Sequence, residues 1–180
     1  ESITIEIKSM LSSKTFKVFS SQDTQGVELA GALKNIYAIC CGIAHAKLVG
    51  ENALGFIVTR SMAEMSRFAV AKGANPITFL GLAGMGDLMA TCTSKLSRNF
   101  QLGELIAEDL SLIAAKEKVG QVAEGARTLE VVYHEANKMN VSMPLVNSLY
   151  KILYSDSLSD QLIQDLLDHP NEVDVEFTYK

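Results

Sequence analysis

The chain has 180 residues, 48% of them hydrophobic, with 16 basic against 21 acidic side chains and a net charge of −5. That length suits one domain or one and a half, and the apolar content is enough for a real core. The charge balance argues against a nucleic-acid binder, which would show a basic face, but it allows an anionic small substrate, for which one local cluster of Lys or Arg suffices.

Residues 3–12 read as a short helix. Thr15 to Phe19 alternates apolar and polar side chains and is expected as a strand; Ser20 to Gln25 is polar and works as a linker and helix start. One short strand cannot form a sheet alone, so residues 1–22 are expected to be the remnant of an upstream domain. Residues 23–170 would form the main domain and 171–180 a tail.

The rest of the chain is organised around GVELAGALKN (Gly26 to Asn35) and the apolar run that continues it to about Ala46. A helix that is apolar all round is a buried helix. Lys34 and Asn35 sit in its middle. Burying a lysine costs several kcal/mol unless it is paired or neutral; the alternative is that its head reaches the surface along its apolar stem. A membrane span needs about 20 predominantly apolar residues. Glu28, Lys34 and Asn35 interrupt this run, so no membrane insertion is expected. Nor is a signal peptide, since the N-terminus lacks a basic region followed by an apolar core.

A second long helix is expected over 53–72, with Leu54, Ile57, Ser61, Met65 and Phe68 on one face. Arg60 and Glu64, four apart, are expected to pair on its surface, and Gly73 to end it. Pro76 to Leu80 leads into Gly81-Leu82-Ala83-Gly84-Met85-Gly86-Asp87, a tight turn opening a short helix to about Thr93. Its glycines are spaced G-x-x-G-x-G, which is not a dinucleotide fingerprint. At least one of them is expected to let two helices approach closely.

Thr93 to Asn99 is polar and basic, and Ser97 is a good N-cap for a helix over 98–108. Free backbone N–H groups, the positive end of the helix dipole and Arg98 would face one anionic ligand there. The plainer alternative is a solvated loop with a capping serine. Lys116 to Gln121 reads as a charged turn. Ala123 to Arg127 opens a helix with Leu129, Val132 and Ala136 inward; Met143-Pro144 opens another with Leu145, Leu149 and Ile152 inward. A last helix is expected over 159–167, with a frayed tail over 169–180. The sum is an all-α domain of about eight helices. The odd set of Cys40, Cys41 and Cys92 reads as reduced thiols of a cytoplasmic protein. His45, His134 and His169 are scattered, make no metal-site spacing, and read as structural or exposed.

Three motifs occurring together carry a resemblance: Gly26 to Asn35, Gly81 to Cys92 (GLAGMGDLMATC), and Ser97-Arg98-Asn99 followed by Val122-Ala123-Glu124-Gly125. Over about residues 15–170 the chain resembles the C-terminal, substrate-binding half of NAD(P)-dependent glycerol-3-phosphate dehydrogenases, and Thr93 to Ser97 looks like the bacterial form. The resemblance implies a dinucleotide-binding Rossmann domain followed by an all-helical domain of the 6-phosphogluconate-dehydrogenase-like type, with Thr15 to Phe19 matching the end of the Rossmann half. It implies interconversion of dihydroxyacetone phosphate and sn-glycerol 3-phosphate for glycerophospholipid synthesis, with NAD or NADP bound mainly by a half that this sequence lacks. A second substrate-binding lysine is lacking as well, so the chain alone is not expected to turn over. A homodimer is expected.

By the same resemblance Lys34 binds substrate and is the proton donor and acceptor, a role that lysine fills when burial lowers its pKa. Asp87 binds substrate and places Lys34. Ser97, Arg98 and Asn99 hold the phosphate, for which a planar, two-point arginine is suited. Thr91 assists substrate binding, and Arg98, Val122 and Glu124 touch cofactor. Two rivals stand beside this reading. One is another dehydrogenase of the same architecture, a hydroxyacid dehydrogenase or ketopantoate reductase. The hydroxyacid dehydrogenases place an asparagine one helical turn after the lysine, where this chain has Ala38. The other is a non-catalytic helical dimerisation module.

Overall fold

The computed structural model describes residues 2–155, so the helix expected over 159–167, the tail and His169 lie outside the described residues. Eight α-helices follow in order: α1 Ser2–Leu11, α2 Thr24–Ala46, α3 Glu51–Ala71, α4 Asp87–Cys92, α5 Arg98–Ala107, α6 Leu112–Val119, α7 Gly125–Lys138 and α8 Pro144–Tyr154. A 3₁₀ turn, Pro76–Leu80, and a π turn, Leu82–Gly86, join α3 to α4.

The all-round apolar run becomes the central helix. Ala30, Leu33 and every residue from Ile36 to Ala44 are buried. α5, α3, α4 and α7 all pack against α2. By length and composition alone α2 could cross a membrane; here 61% of its most apolar window is buried inside the fold. Its closest partner is α5, and two glycines set the distance. A Cβ on Gly42 would lie 2.0 Å from the Phe100 carbonyl oxygen, and one on Gly103 would lie 2.1 Å from that of Ile39. The two helices cross backbone on backbone, which fixes the start of α5 relative to the middle of α2.

The strand expected at Thr15 to Phe19 does not form. The Ser13 N–H donates to the Phe16 carbonyl at 2.7 Å, and the Phe16 N–H donates to Ser13 Oγ at 3.0 Å, folding the segment into a turn. Alternating side chains favour a strand only where another strand supplies the ladder, and the described residues contain none. α1 and this segment leave Ile3, Ile5, Met10, Leu11, Phe16 and Phe19 exposed.

The charged turn expected at Lys116 to Gln121 is instead largely helix. Ser111 Oγ caps α6 through the Ala114 N–H, and Gly120, at φ 69°, ends it. Lys116, Glu117 and Lys118 form the solvent side of a helix that buries only Ala115. So short an apolar stripe carries little periodic signal.

The surface pair expected between Arg60 and Glu64 is also overturned. Glu64 is 2% exposed and faces inward. Its carboxylate accepts from the Leu145 N–H at 2.6 Å, the Val146 N–H at 3.3 Å and the Tyr37 hydroxyl at 3.2 Å. α8 has no side-chain cap of its own, and Glu64 serves as that cap from another helix. Burial pushes the Glu64 carboxyl up to about 7, against the backbone donors of α8 and the charge of Arg67.

Four helix ends close in the same way. Leu48, Gly73, Asp109 and Asn140 adopt positive φ, and the N–H of the following residue reaches back to Ala44, Ala69, Leu105 and Ala136 respectively. This left-handed closure satisfies the terminal carbonyls. Leu48 is the one residue of the four with neither a missing Cβ nor a short polar side chain to ease it.

Candidate functional site

The site grows from the middle of α2. Apolar neighbours sink the helix, and Lys34 emerges on a side that is only partly covered, with its side chain 22% exposed. Both readings of Lys34 from the sequence are thus partly met: the stem is packed and the head is paired. Lys34 Nζ donates to Asp87 Oδ2. Thr91 Oγ1 donates to the Asp87 carbonyl at 2.6 Å and lies 3.4 Å from Asp87 Oδ1. Lys34, Asp87 and Thr91 therefore form one contiguous group across α2 and α4.

The glycine-rich turn brings Asp87 to this place. Phe79 is buried, and a Cβ on Gly84 would stand 2.2 Å from the Phe79 carbonyl oxygen. The close approach expected of one of these glycines is made by Gly84. It joins the π turn to the 3₁₀ turn before it, rather than one helix to another.

A second group adjoins the first through Asn35. Its Oδ1 accepts from Asn99 Nδ2 at 3.0 Å, and Asn99 Oδ1 accepts from the Gly125 N–H at 2.9 Å. The starts of α5 and α7 are thereby tied to the residue beside Lys34. Gly125 admits no side chain, since its Cβ would lie 2.5 Å from the Asn35 carbonyl oxygen and 2.7 Å from Asn99 Oδ1. Ser97 caps α5 as expected, accepting from the Phe100 N–H at 3.4 Å. Arg98 is exposed and reaches Gln121 Oε1 at 3.4 Å. Val122 and Glu124 are exposed on the segment between Gln121 and Gly125.

Four elements that are distant in sequence are thus linked by side-chain hydrogen bonds. Lys34 touches Asp87, and Arg98 and Asn99 are linked to α2 and to residues 121–125. Asn99 is 8% exposed and its amide is engaged at both ends, so its side chain is a tie between helices. Asn35, Gln121 and Gly125 were missed as site residues; an amide beside a lysine in a buried helix was the available signal for the first. A cavity of about 570 Å³ lies elsewhere, lined by His45, Leu48, Glu104 and Glu108 among others. His45 is eleven residues from Lys34, about 16 Å along α2, and the cavity contains none of the expected site residues. His45 Nδ1 sits 3.0 Å from Glu104 Oε1. Cys40, Cys41 and Cys92 are buried and free.

Comparison with known proteins places the chain in a family. Residues 23–164 match the family model described as the C-terminus of NAD-dependent glycerol-3-phosphate dehydrogenase. The chain is 50% identical over 177 residues to a glycerol-3-phosphate dehydrogenase [NAD(P)+] of Alcanivorax borkumensis, covering 98% of this chain and 52% of that protein. A protein of the same name from Psychrobacter cryohalolentis is 48% identical over 171 residues, 95% of this chain and 40% of the relative. The crystal structure of glycerol-3-phosphate dehydrogenase from Coxiella burnetii superposes with a TM-score of 0.88 at 35% identity, over 93% of this chain and 52% of that one. DsGPDH of Dunaliella salina shares the fold, with a TM-score of 0.79 at 21% identity, over 91% of this chain and 30% of that one. The chain spans about half the length, or less, of these relatives. It belongs to the family of C-terminal domains of NAD-dependent glycerol-3-phosphate dehydrogenases.

Proposed function

We propose that this chain is the helical, substrate-binding half of an NAD(P)-dependent glycerol-3-phosphate dehydrogenase that interconverts dihydroxyacetone phosphate and sn-glycerol 3-phosphate. The observation that carries the reading is the Lys34–Asp87 pair, joined through Asn35 and Asn99 to the start of α5, where Arg98 lies. Reduction of a ketone adds hydride to carbon and a proton to oxygen. The nicotinamide cofactor supplies the hydride when bound. Lys34, held by Asp87, donates the proton to the forming alkoxide and takes it back in the reverse direction. Arg98 and the backbone N–H groups of Arg98 and Asn99, which open α5 without partners inside the helix, hold the phosphate. Thr91 steadies Asp87.

The residues present fit the edge of a dinucleotide. Arg98, Val122 and Glu124 are exposed, and Arg98 reaches Gln121, next to Val122, which suits a cofactor held mainly by another domain. Residues 1–22 are the tail of that domain in this reading, and the exposed apolar side chains of Ile3, Ile5, Phe16 and Phe19 are what such a tail would bury against it. The assembled enzyme is a cytoplasmic homodimer serving glycerophospholipid synthesis.

Calorimetry with glycerol 3-phosphate tests the phosphate site. One charge-assisted contact is worth roughly 1.5–3 kcal/mol, so Arg98→Ala lowers affinity about tenfold to a hundredfold; unchanged binding would move the phosphate elsewhere. In the chain joined to its dinucleotide-binding half, Lys34→Ala abolishes turnover. Activity on a hydroxy acid but not on glycerol 3-phosphate would favour the rival dehydrogenases.

A further inference from the structure

Asp23 lies just before α2, eleven residues from Lys34, and its two carboxylate oxygens serve different elements. Oδ1 accepts from the Gly26 N–H at 2.9 Å and caps α2. Oδ2 accepts from the Thr78 hydroxyl at 2.6 Å and the Asn75 N–H at 3.0 Å, both in the segment that leads into the glycine-rich turn. Gly26 admits this geometry because it lacks a Cβ, which would fall 2.0 Å from Asp23 Oδ2. These donors, Thr78 first, hold the Asp23 carboxyl below its ordinary value. Gln25 fastens the same corner to the end of α3, donating to the Lys72 carbonyl at 2.8 Å.

Followed onward, the contacts close a ring. Asp23 holds Thr78; Phe79, next in the chain, is buried and carries Gly84 on its backbone; the π turn delivers Asp87 to Lys34; and α2 runs rigidly back to Asp23. Beyond the packing of the turn on α2, side-chain hydrogen bonds thus tie the two together at two places, one at the reacting pair and one remote from it. We propose that Asp23 is a positioning residue for the reaction. Through Thr78 it sets the register of the glycine-rich turn against α2, so that the Asp87 carboxylate meets Lys34 in the geometry that proton transfer requires. The inference rests on the dehydrogenase reading only for the reaction it serves. Asp23 itself touches neither substrate nor cofactor in this scheme.

The test uses the chain joined to its dinucleotide-binding half. Thr78→Val removes the hydroxyl at nearly constant volume, Thr78→Ser retains it, and Asp23→Asn leaves an acceptor for Gly26 while turning the other oxygen into a donor. A small misplacement of reacting groups costs up to about a hundredfold in rate. Thr78→Val and Asp23→Asn should therefore lower kcat about tenfold or more, with KM for the phosphorylated substrate unchanged. Thr78→Ser should restore kcat. In an Asp87→Asn background Asp23→Asn should cost nothing further, since the group it positions is gone. Independently of turnover, acetic anhydride should acylate Lys34 severalfold faster in Thr78→Val than in Thr78→Ser, because Asp87 no longer holds the amine. A Thr78→Val enzyme with the kcat and labelling rate of Thr78→Ser would overturn the proposal, as would effects of Asp23→Asn and Asp87→Asn that simply multiply. If the unaltered enzyme ignores glycerol 3-phosphate while labelling still responds to Thr78→Val, the positioning stands and the substrate reading fails.

Discussion

Glu64 shows how one buried carboxyl imposes a pH dependence on a whole fold. Its native pKa of about 7 stands above the ordinary 4.5 because burial penalises the charge. Between those values the native state holds more protons than the unfolded chain, so stability falls as pH rises from about 4.5 to 7. The difference sets an upper bound of about 3 kcal/mol on the loss. Urea unfolding at pH 5, 6, 7 and 8 should show that decline, and Glu64→Gln, which cannot ionise, should flatten it. An identical pH profile in the variant would show that Glu64 ionises freely in the folded protein. Asp23 and Glu135 act in the opposite sense. Thr78 beside the first and Lys72 beside the second hold their carboxyls below 3.8 and 4.5, so their stabilisation is present above those values and is lost as pH falls below them. Leu48 offers a second test at this scale. It holds a left-handed backbone at φ 57° and is 89% exposed, so it bears conformational cost without packing gain. Leu48→Gly should stabilise the chain by about 1 kcal/mol, read as a higher urea midpoint at unchanged slope.

Among the elements, the crossing of α2 and α5 carries the site. Gly42 and Gly103 each lie within about 2 Å of opposing backbone once a Cβ is imagined on them. Backbone cannot rotate away as a side-chain tip can. Gly103→Ala should therefore destabilise by at least the 1–3 kcal/mol typical of overpacking, and it should weaken glycerol 3-phosphate binding by displacing the start of α5. Gly55→Ala is the matched control: a Cβ there meets nothing within 4 Å, and alanine improves helix propensity, so stability should hold or rise. Equal effects at the two glycines would show that the crossing tolerates expansion.

For the molecule as a whole, the division of labour between α1 and the helical body is testable. The body is centred on α2, whereas α1 and the turn after it expose most of their large apolar side chains. Deleting residues 2–19 should leave the melting midpoint of the helical body nearly unchanged and, on the proposed function, abolish association with a separately produced dinucleotide-binding half. A large fall in the midpoint would make α1 part of the body instead.

The strongest sequence signals came from residues whose role is local or extreme in composition. The run from Gly26 to Ala46 had to be a buried helix because no polar face exists on which to expose it. Ser97 had to cap a helix because its hydroxyl sits immediately before a periodic segment, and Lys34 stood out as a charge among apolar neighbours. The failures were those that depended on a partner. Thr15 to Phe19 alternates like a strand, yet alternation forms no ladder without a neighbouring strand. Glu64 looked like half of a surface pair because spacing of four says nothing about which face of α3 meets α8. Sequence by itself determined the helical class, the central helix, and the residue types able to move a proton or hold a phosphate. Tertiary structure alone decided how the glycine-rich turn carries Asp87 to Lys34, that Asn99 ties Asn35 to Gly125, and that Glu64 caps a helix it does not belong to. Those contacts join residues 26 to 82 positions apart, and only the packing of whole helices brings such residues together.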